Sequence, residues 1–197
     1  MRIMPALKNA LAVGPRVHLR RPGPRDATAF IAGARLSDRL YRGWVQAPTT
    51  KAGNAAYLHR FAGPKSRHAE SASHIGVVVC KLADDALIGV FNFSEIVRGA
   101  FESSYLGYYA FAPHVGQGYM SEGLNLVLAL AFDKLKLHRV EANVQPTNRP
   151  SVSLLRRAGF THEGFSRRYV KIAGRWRDHE RFAMLVEDWR RRRRRSH

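Results

Sequence analysis

The residues best suited to chemistry lie in two segments that each join a strand to a helix. In LGYYAFAPHVGQGYMSE (residues 106–122), an apolar run ends before Pro113, and a loop with Gly116 and Gly118 precedes an amphipathic helix. Such a loop leaves backbone N–H groups unpaired at a helix N-terminus, where they can bind phosphate. In the second segment, Asn148 and Ser151 follow another strand. Together the segments indicate an enzyme that holds a pyrophosphate-bearing cofactor and transfers a group from it.

The glycine pair has two interpretations. Glycine lets the backbone turn tightly and approach a ligand closely, and the N–H groups of Val115 to Met120 would then point at a pyrophosphate, helped by the helix dipole. The alternative is an ordinary strand-to-helix turn. The preceding strand, Pro113 and the long helix that follows favour the binding interpretation.

Composition predicts one globular domain without a membrane span. The chain has 197 residues, of which 45% are hydrophobic, and no apolar run reaches the roughly 20 residues that cross a bilayer. The N-terminal residues lack the continuous apolar segment of a secretory signal, so we expect a cytoplasmic protein, with a transit peptide as the alternative. Cys80 is the only cysteine and lies in an apolar run, which favours a buried, inert thiol. No His or Cys spacing suggests a zinc site, so we predict no metal.

The charge is strongly basic. The formal net charge is +18, and Arg190 to Arg195 form an unbroken arginine run. A basic surface attracts nucleic acids, acidic membranes and phosphorylated cofactors. The arginine run predicts a disordered tail over 189–197 that either contacts RNA phosphates or is only solvated.

Hydrophobic periodicity predicts an α/β domain over 16–188, after an N-terminal extension over 1–15. The sheet is expected to be mixed, mostly antiparallel and flanked by helices. Its seven predicted strands are 16–20, 74–82, 87–97, 104–111, 139–144, 161–172 and 176–185. The predicted helices are 24–36, 54–61, 117–135 and 148–157.

These segments resemble a known family. LGYYAFAPHVGQGYMSEGLNLVLALAF resembles motif A of the GNAT N-acetyltransferases, and RVEANVQPTNRPSVSLLRRAGF resembles their motif B. The ending resembles the RimJ/RimL branch, the ribosomal-protein N-terminal acetyltransferases. That branch ends with Glu-Gly, an Arg and a Gly-x-Trp-x-Asp hairpin, here Glu163-Gly164, Arg167 or Arg168, Gly174, Trp176 and Asp178. The resemblance implies the GNAT fold and acetyl-CoA as cosubstrate.

The resemblance also implies residue roles. The thioester would lie where the strand holding Phe111 and the strand ending near Val144 diverge, and the Phe111 N–H would polarise its carbonyl. Asn148 would hold the pantetheine arm, and Ser151 would hydrogen-bond the departing thiolate. The implied cofactor-binding set is Phe111, Ala112, Val115, Gly116, Gln117, Gly118, Tyr119, Met120, Asn148 and Ser151.

Several positions depart from the family pattern. Val115 stands where Gln or Arg is usual, and Met120 stands where Gly or Ala is usual. The frequent general-acid Tyr is replaced by Leu155, which leaves Ser151 as the implied acid, and Asn143 occupies the position of a related glutamate base.

Three carboxylates are candidates for the general base. Glu163 is preferred, with Glu95 and Glu141 as the other candidates. The alternative for Glu163 is a surface carboxylate paired with Arg167 or Arg168.

The expected acceptor is the N-terminal α-amine of a protein, alanine or serine of a ribosomal protein in particular. Trp44 and Tyr41 would form the acceptor wall or pack in the core. One alternative is a small amine such as a polyamine, an amino acid or an aminoglycoside. Another is an inactive ribosome- or RNA-binding protein with a degenerate CoA site. The run from Arg190 to Arg195 could contact the ribosome.

Overall fold

The computed structural model describes residues 9–41, 43–62 and 72–195. The strands are β1 (Ala12–Val13), β2 (Val17–Arg20), β3 (Ile75–Lys81), β4 (Leu87–Val97), β5 (Ser103–Ala110), β6 (Arg139–Val144), β7 (Thr161–Ile172) and β8 (Arg175–Leu185). The helices are α1 (Ala27–Leu36), α2 (Asp38–Tyr41), α3 (Lys51–Phe61), α4 (Tyr119–Ala129), α5 (Arg149–Ala158) and α6 (Val186–Arg195). All eight strands form one sheet in the order β1-β2-β3-β4-β5-β6-β8-β7. The mixed α/β architecture is confirmed, with one strand more than predicted.

The core has two layers because helices cover both faces of the sheet. Along β3, Val77 and Val79 face the apolar cluster that includes Leu124 of α4. Val78 and Cys80 face the smaller cluster formed with α1. A strand buried on both faces needs apolar residues without alternation, which explains the continuous run in β3. Burial raises the pKa of the Cys80 thiol to about 12, which fits an inert core residue.

The sheet diverges between its two parallel strands. The other neighbouring strands pair antiparallel, whereas β5 and β6 run parallel and pair only from Ser103 with Arg139 to Tyr105 with Glu141. Beyond Tyr105, β5 continues to Ala110 along β4, and β6 continues along β8. The two halves of the sheet therefore separate and leave an open wedge.

The C-terminal arginines are helical, which corrects the predicted disorder of the tail 189–197 for residues 189–195, while residues 196 and 197 lie outside the described residues. After β8, helix α6 runs to Arg195. Trp189 is buried and packs on Phe132, with ring centroids 5.4 Å apart. Phe132 lies in the π-helical segment that extends α4 (Leu130–Lys134). One aromatic anchor thus holds the charged helix against the domain.

Part of the predicted N-terminal extension 1–15 joins the sheet. Strand β1 lies within the predicted extension 1–15 and pairs with β2, while residues 1–8 lie outside the described residues. Among the described residues, no helix has the length and apolar character needed to cross a membrane.

Candidate active site

Unpaired backbone donors line the loop between β5 and α4. The N–H groups of residues 116–120 make no hydrogen bond within the described part of the chain. Gly116 and Gly118 have φ angles of +76° and +79°, a left-handed conformation that glycine adopts without strain. Free donors at the N-terminus of an 11-residue helix are suited to a pyrophosphate, as the sequence predicts.

Arg16 adds a side-chain cation beside this loop. Its Nη1 donates to the carbonyl of Gln117 (3.1 Å), and its Nε pairs with Glu122 (3.0 Å). The guanidinium lies 4.9 Å from the ring centroid of Tyr119, and about half of the side chain is exposed. No local motif marks Arg16, because its position depends on β2 lying beside α4.

The wedge between β5 and β6 holds a cavity of about 390 Å³. Three tyrosines and a tryptophan contribute to its walls, together with polar groups from α5 and β6. Trp44 lines the cavity, and its Nε1 donates to Thr147 Oγ1 (3.1 Å). The residues that line the cavity include Tyr105, Tyr108, Asn143, Asn148, Ser151 and Tyr169.

Strand β5 lines the cavity from Tyr105 to Tyr108, and its edge without a β6 partner continues to Ala110. The N–H of Phe111 donates to the carbonyl of Ile88 in β4 (2.8 Å), so it is not free to polarise a thioester. Successive N–H groups in an antiparallel pair point to opposite sides, so those of Tyr108 and Ala110 point away from β4. The Ala110 carbonyl on that side accepts from the Tyr41 hydroxyl (3.3 Å). The Phe111 N–H is therefore unavailable for the role predicted for it.

Asn148 and Ser151 meet at the start of α5. Asn148 Oδ1 accepts from the Ser151 N–H (3.3 Å) and caps the helix, which leaves the Asn148 NH₂ free to donate. The Tyr108 hydroxyl lies 3.5 Å from the Ser151 carbonyl, so two hydroxyls approach one end of the cavity. Leu155, at the usual tyrosine position, is completely buried. Tyr108 was not predicted, because only the fold brings β5 beside α5.

The acetyltransferase (GNAT) domain family matches residues 16–161. The chain belongs to this family. "Probable N-acetyltransferase YjcK" of Bacillus subtilis is 44% identical over 115 residues, 58% of this chain and 62% of that protein. "[Ribosomal protein uS5]-alanine N-acetyltransferase" of Escherichia coli is 42% identical over 103 residues, 52% of this chain and 53% of that protein. The matched stretch thus spans between half and two thirds of these relatives.

A solved structure agrees with this assignment. Mycobacterium smegmatis RimJ in complex with CoA-disulfide matches with a TM-score of 0.77 and 26% identity, covering 89% of this chain and 87% of that one. The predicted GNAT family and its RimJ-type branch are confirmed.

The three predicted carboxylates lie outside the cavity wall of this GNAT domain. Glu163 pairs with Arg139 through both carboxylate oxygens, and this hydrogen bonding lowers its pKa. Its partner is therefore neither Arg167 nor Arg168. Glu141 pairs with Arg139 and Arg181. Glu95 has a positive φ at a bulge in β4, is 60% exposed and lies 3.4 Å from His74 Nε2. The structure does not bring these carboxylates to the wedge.

The fold places one histidine, His179, in the cavity wall among the described residues. The residue is 4% exposed, and its Nδ1 lies 3.0 Å from the Arg177 carbonyl. A carbonyl can only accept, so Nδ1 carries the proton and Nε2 keeps its lone pair. Burial lowers the pKa of His179, so the ring is neutral at pH 7. Nε2 has no partner in the described part of the chain, so His179 can accept a proton.

One potential metal-binding trio occurs among the described residues. His18, Cys80 and Asp85 place ligand atoms within 4.8 Å of one another. The carboxylate of Asp85 already contacts His18 (3.0 Å), Arg20 (3.5 Å) and Arg25 (3.8 Å). The guanidinium groups of Arg20 and Arg25 neutralise that carboxylate and would repel a metal ion bound beside it.

Proposed function

We propose that this protein is an acetyl-CoA-dependent N-acetyltransferase that acts on the N-terminal α-amine of a protein, in particular alanine or serine of a ribosomal protein. The observation that carries the proposal is the set of free N–H groups of residues 116–120, in the loop that follows β5 at the end where β5 and β6 diverge. One element can hold the pyrophosphate while the other admits the thioester and the amine. An alanine acceptor is supported by the likeness to the uS5-alanine relative.

Residues on both sides of the wedge fit the donor. The loop N–H groups and Arg16 would hold the phosphates, and the free NH₂ of Asn148 would hold the pantetheine arm. Acetyl-CoA supplies an activated thioester when bound. The N–H groups of Tyr108 and Ala110 would stabilise negative charge on its carbonyl oxygen.

The cavity fits an uncharged amine better than a polycation. No carboxylate belongs to its wall among the described residues, and Arg177 and Arg181 flank His179 along β8. Asn143 Oδ1 is buried without a partner in that wall and can accept a hydrogen bond from the acceptor amine. An α-amine has a pKa of about 8 and is partly uncharged at neutral pH, whereas a polyamine carries further cations that this site would leave unpaired.

Proton transfer follows from the same residues. As the amine nitrogen uses its lone pair to bond the acetyl carbon, it loses a proton to His179 Nε2. The C–S bond then breaks, and the sulfur leaves with the bonding pair. The hydroxyl of Ser151 or Tyr108 gives that sulfur a proton and takes one back from water, so the products are the acetylated amine and the free thiol of CoA. The protonated His179 returns its proton to water.

The test combines binding with product formation. Calorimetry of the purified protein with acetyl-CoA measures cofactor affinity, and thiol release measures transfer to peptides that begin with Ala, Ser or Gly and to spermidine. Micromolar binding with release that requires an Ala or Ser peptide supports the proposal. Release with spermidine but no peptide establishes the small-amine alternative. Absence of acetyl-CoA binding would refute the proposed enzymatic activity and favour the inactive ribosome- or RNA-binding alternative.

A further inference from the structure

Helix α6 presents a fixed face of guanidinium groups. Trp189 holds it on the π-helical segment, and Arg193 lies 5.3 Å from the Trp189 ring centroid and 3.3 Å from Asp133. Arg192 lies against Gly159 at the end of α5. These contacts fix one side of the helix, so the arginines on the other side keep a defined arrangement.

The outer arginines have little internal compensation. Arg191 lies 3.3 Å from Asp188. Arg190, Arg194 and Arg195 are exposed and have no partner in the described part of the chain. Like charges at i and i+4 destabilise a helix, and the favourable helix dipole is felt only in its last turn. An external anion would relieve this repulsion.

Further cations border α6. Arg156 and Arg157 are exposed in the last turn of α5, next to the Gly159 that Arg192 contacts. Lys134 follows Asp133 at the end of the π-helical segment and is also exposed. The basic face therefore extends across two helices and the π-helical segment. We call the set Arg190, Arg191, Arg194 and Arg195, with these neighbours, the arginine face.

We infer that the arginine face binds the phosphate backbone of structured RNA. Guanidinium groups match phosphate oxygens in a two-pronged geometry. A membrane is disfavoured, because both apolar residues of α6, Val186 and Trp189, are buried and cannot insert into lipid. The choice of RNA over DNA rests on the proposed function, since a ribosomal-protein acceptor is surrounded by RNA.

The expected salt dependence follows from the number of contacts. Ten helical residues span about 15 Å, enough for about four phosphate contacts. For each phosphate contact, the logarithm of the binding constant falls by about 0.9 for a tenfold rise in salt concentration. With four contacts, raising salt from 50 to 200 mM should lower RNA affinity about 100-fold.

The test uses the full chain and a fluorescent RNA hairpin, measured by anisotropy at several salt concentrations. The test variant combines R190Q, R191Q, R194Q and R195Q. The matched control removes four exposed cations elsewhere, R25Q, K51Q, K171Q and R175Q. We expect at least a tenfold loss of RNA affinity and a shallower salt slope in the test variant, and less than a threefold change in the control. Both variants should keep the wild-type thermal midpoint and acetyl-CoA affinity.

Several outcomes would overturn the inference. Equal losses in both variants would mean that diffuse charge, and not the arginine face, binds RNA. Equal affinity for a DNA duplex of the same length would remove the choice of RNA, and tighter binding to phosphatidylserine vesicles would assign the face to membranes. Failure of acetyl transfer by wild-type protein that still binds RNA through α6 would refute the proposed function and leave the arginine face standing.

Discussion

At the scale of single residues, His179 determines how the proposed reaction depends on pH. Replacing it by glutamine should lower kcat/KM about 100-fold, because glutamine cannot take the proton from the amine. In wild-type protein the logarithm of kcat/KM should fall with slope 1 as the α-amine protonates below about pH 8. It should steepen to slope 2 below the depressed pKa of His179, since only the neutral ring accepts a proton. The variant should keep slope 1 throughout.

His138 provides the matched control for this substitution. It is exposed, lies outside the cavity wall and pairs with Glu187 at 3.4 Å. His138→Gln should leave both rate and pH profile unchanged, and both variants should bind acetyl-CoA as wild type does. A His179→Gln protein whose profile still steepens to slope 2 would exclude His179 as the base.

The two hydroxyls near the start of α5 make a second residue-level prediction. Ser151→Ala should lower kcat about tenfold with acetyl-CoA affinity unchanged, because the departing sulfur loses a proton donor. Tyr108→Phe removes the other hydroxyl and keeps the ring in place. Steady-state kinetics of both variants and the double variant identify the donor. Full activity in the double variant would mean that water protonates the sulfur.

The residue scale is also where the sequence predicts least. Gly116, Gly118, Asn148 and Ser151 lie in contiguous motifs, so their neighbourhood could be inferred. The general base could not be inferred in this way. A carboxylate next to a glycine of the family pattern does not reveal its ion-pair partner, and Glu163 is hydrogen-bonded to Arg139, 24 positions earlier. His179, Tyr108 and Arg16 come to the site only through strand and helix packing.

At the scale of elements, the loop before α4 should determine cofactor binding. Gly118→Trp should reduce acetyl-CoA affinity at least tenfold, because a bulky side chain would occupy the space beside the free N–H groups and meet Arg16, whose Nη2 lies 3.3 Å from a Cβ at this position. Calorimetry with acetyl-CoA measures the loss.

Gly99 offers a control with the same backbone strain. It has φ +71° in the turn between β4 and β5, and a Cβ there meets nothing within 4 Å. Gly99→Trp should therefore bind acetyl-CoA normally. Equal losses in the two variants would mean that strain alone is responsible and that the loop does not hold the pyrophosphate.

Elements were predicted well where periodicity is strong. The seven predicted strands all occur, and the helix predicted over 117–135 is α4 with its π-helical extension. Helix α3 begins three residues before its predicted start, because Thr50 caps it by accepting from the Gly53 N–H at 3.1 Å. The two-residue strand β1 is too short to show alternation, and the charge block of α6 hides the single Trp189 that anchors it.

At the scale of the whole molecule, the attachment of α6 links charge to stability. A run of arginines alone would favour a solvated tail. The helix stays docked on the domain because the Trp189 side chain is buried against the core, with 8% of its surface exposed. Trp189→Ala should lower the free energy of unfolding by about 3 kcal/mol, the range for losing a large buried aromatic side chain. Denaturant unfolding monitored by far-UV circular dichroism measures the change.

Trp176 supplies the comparison that makes this loss interpretable. It is 60% exposed on β8, so Trp176→Ala should change the free energy of unfolding by no more than about 0.5 kcal/mol. If the two variants were equally stable, α6 would not be docked on the domain, and the arginine face would lose the fixed geometry that distinguishes it from a loose charged tail. If only Trp189→Ala is destabilised and RNA affinity falls with it, packing at one aromatic residue positions the cations at the opposite side of the helix.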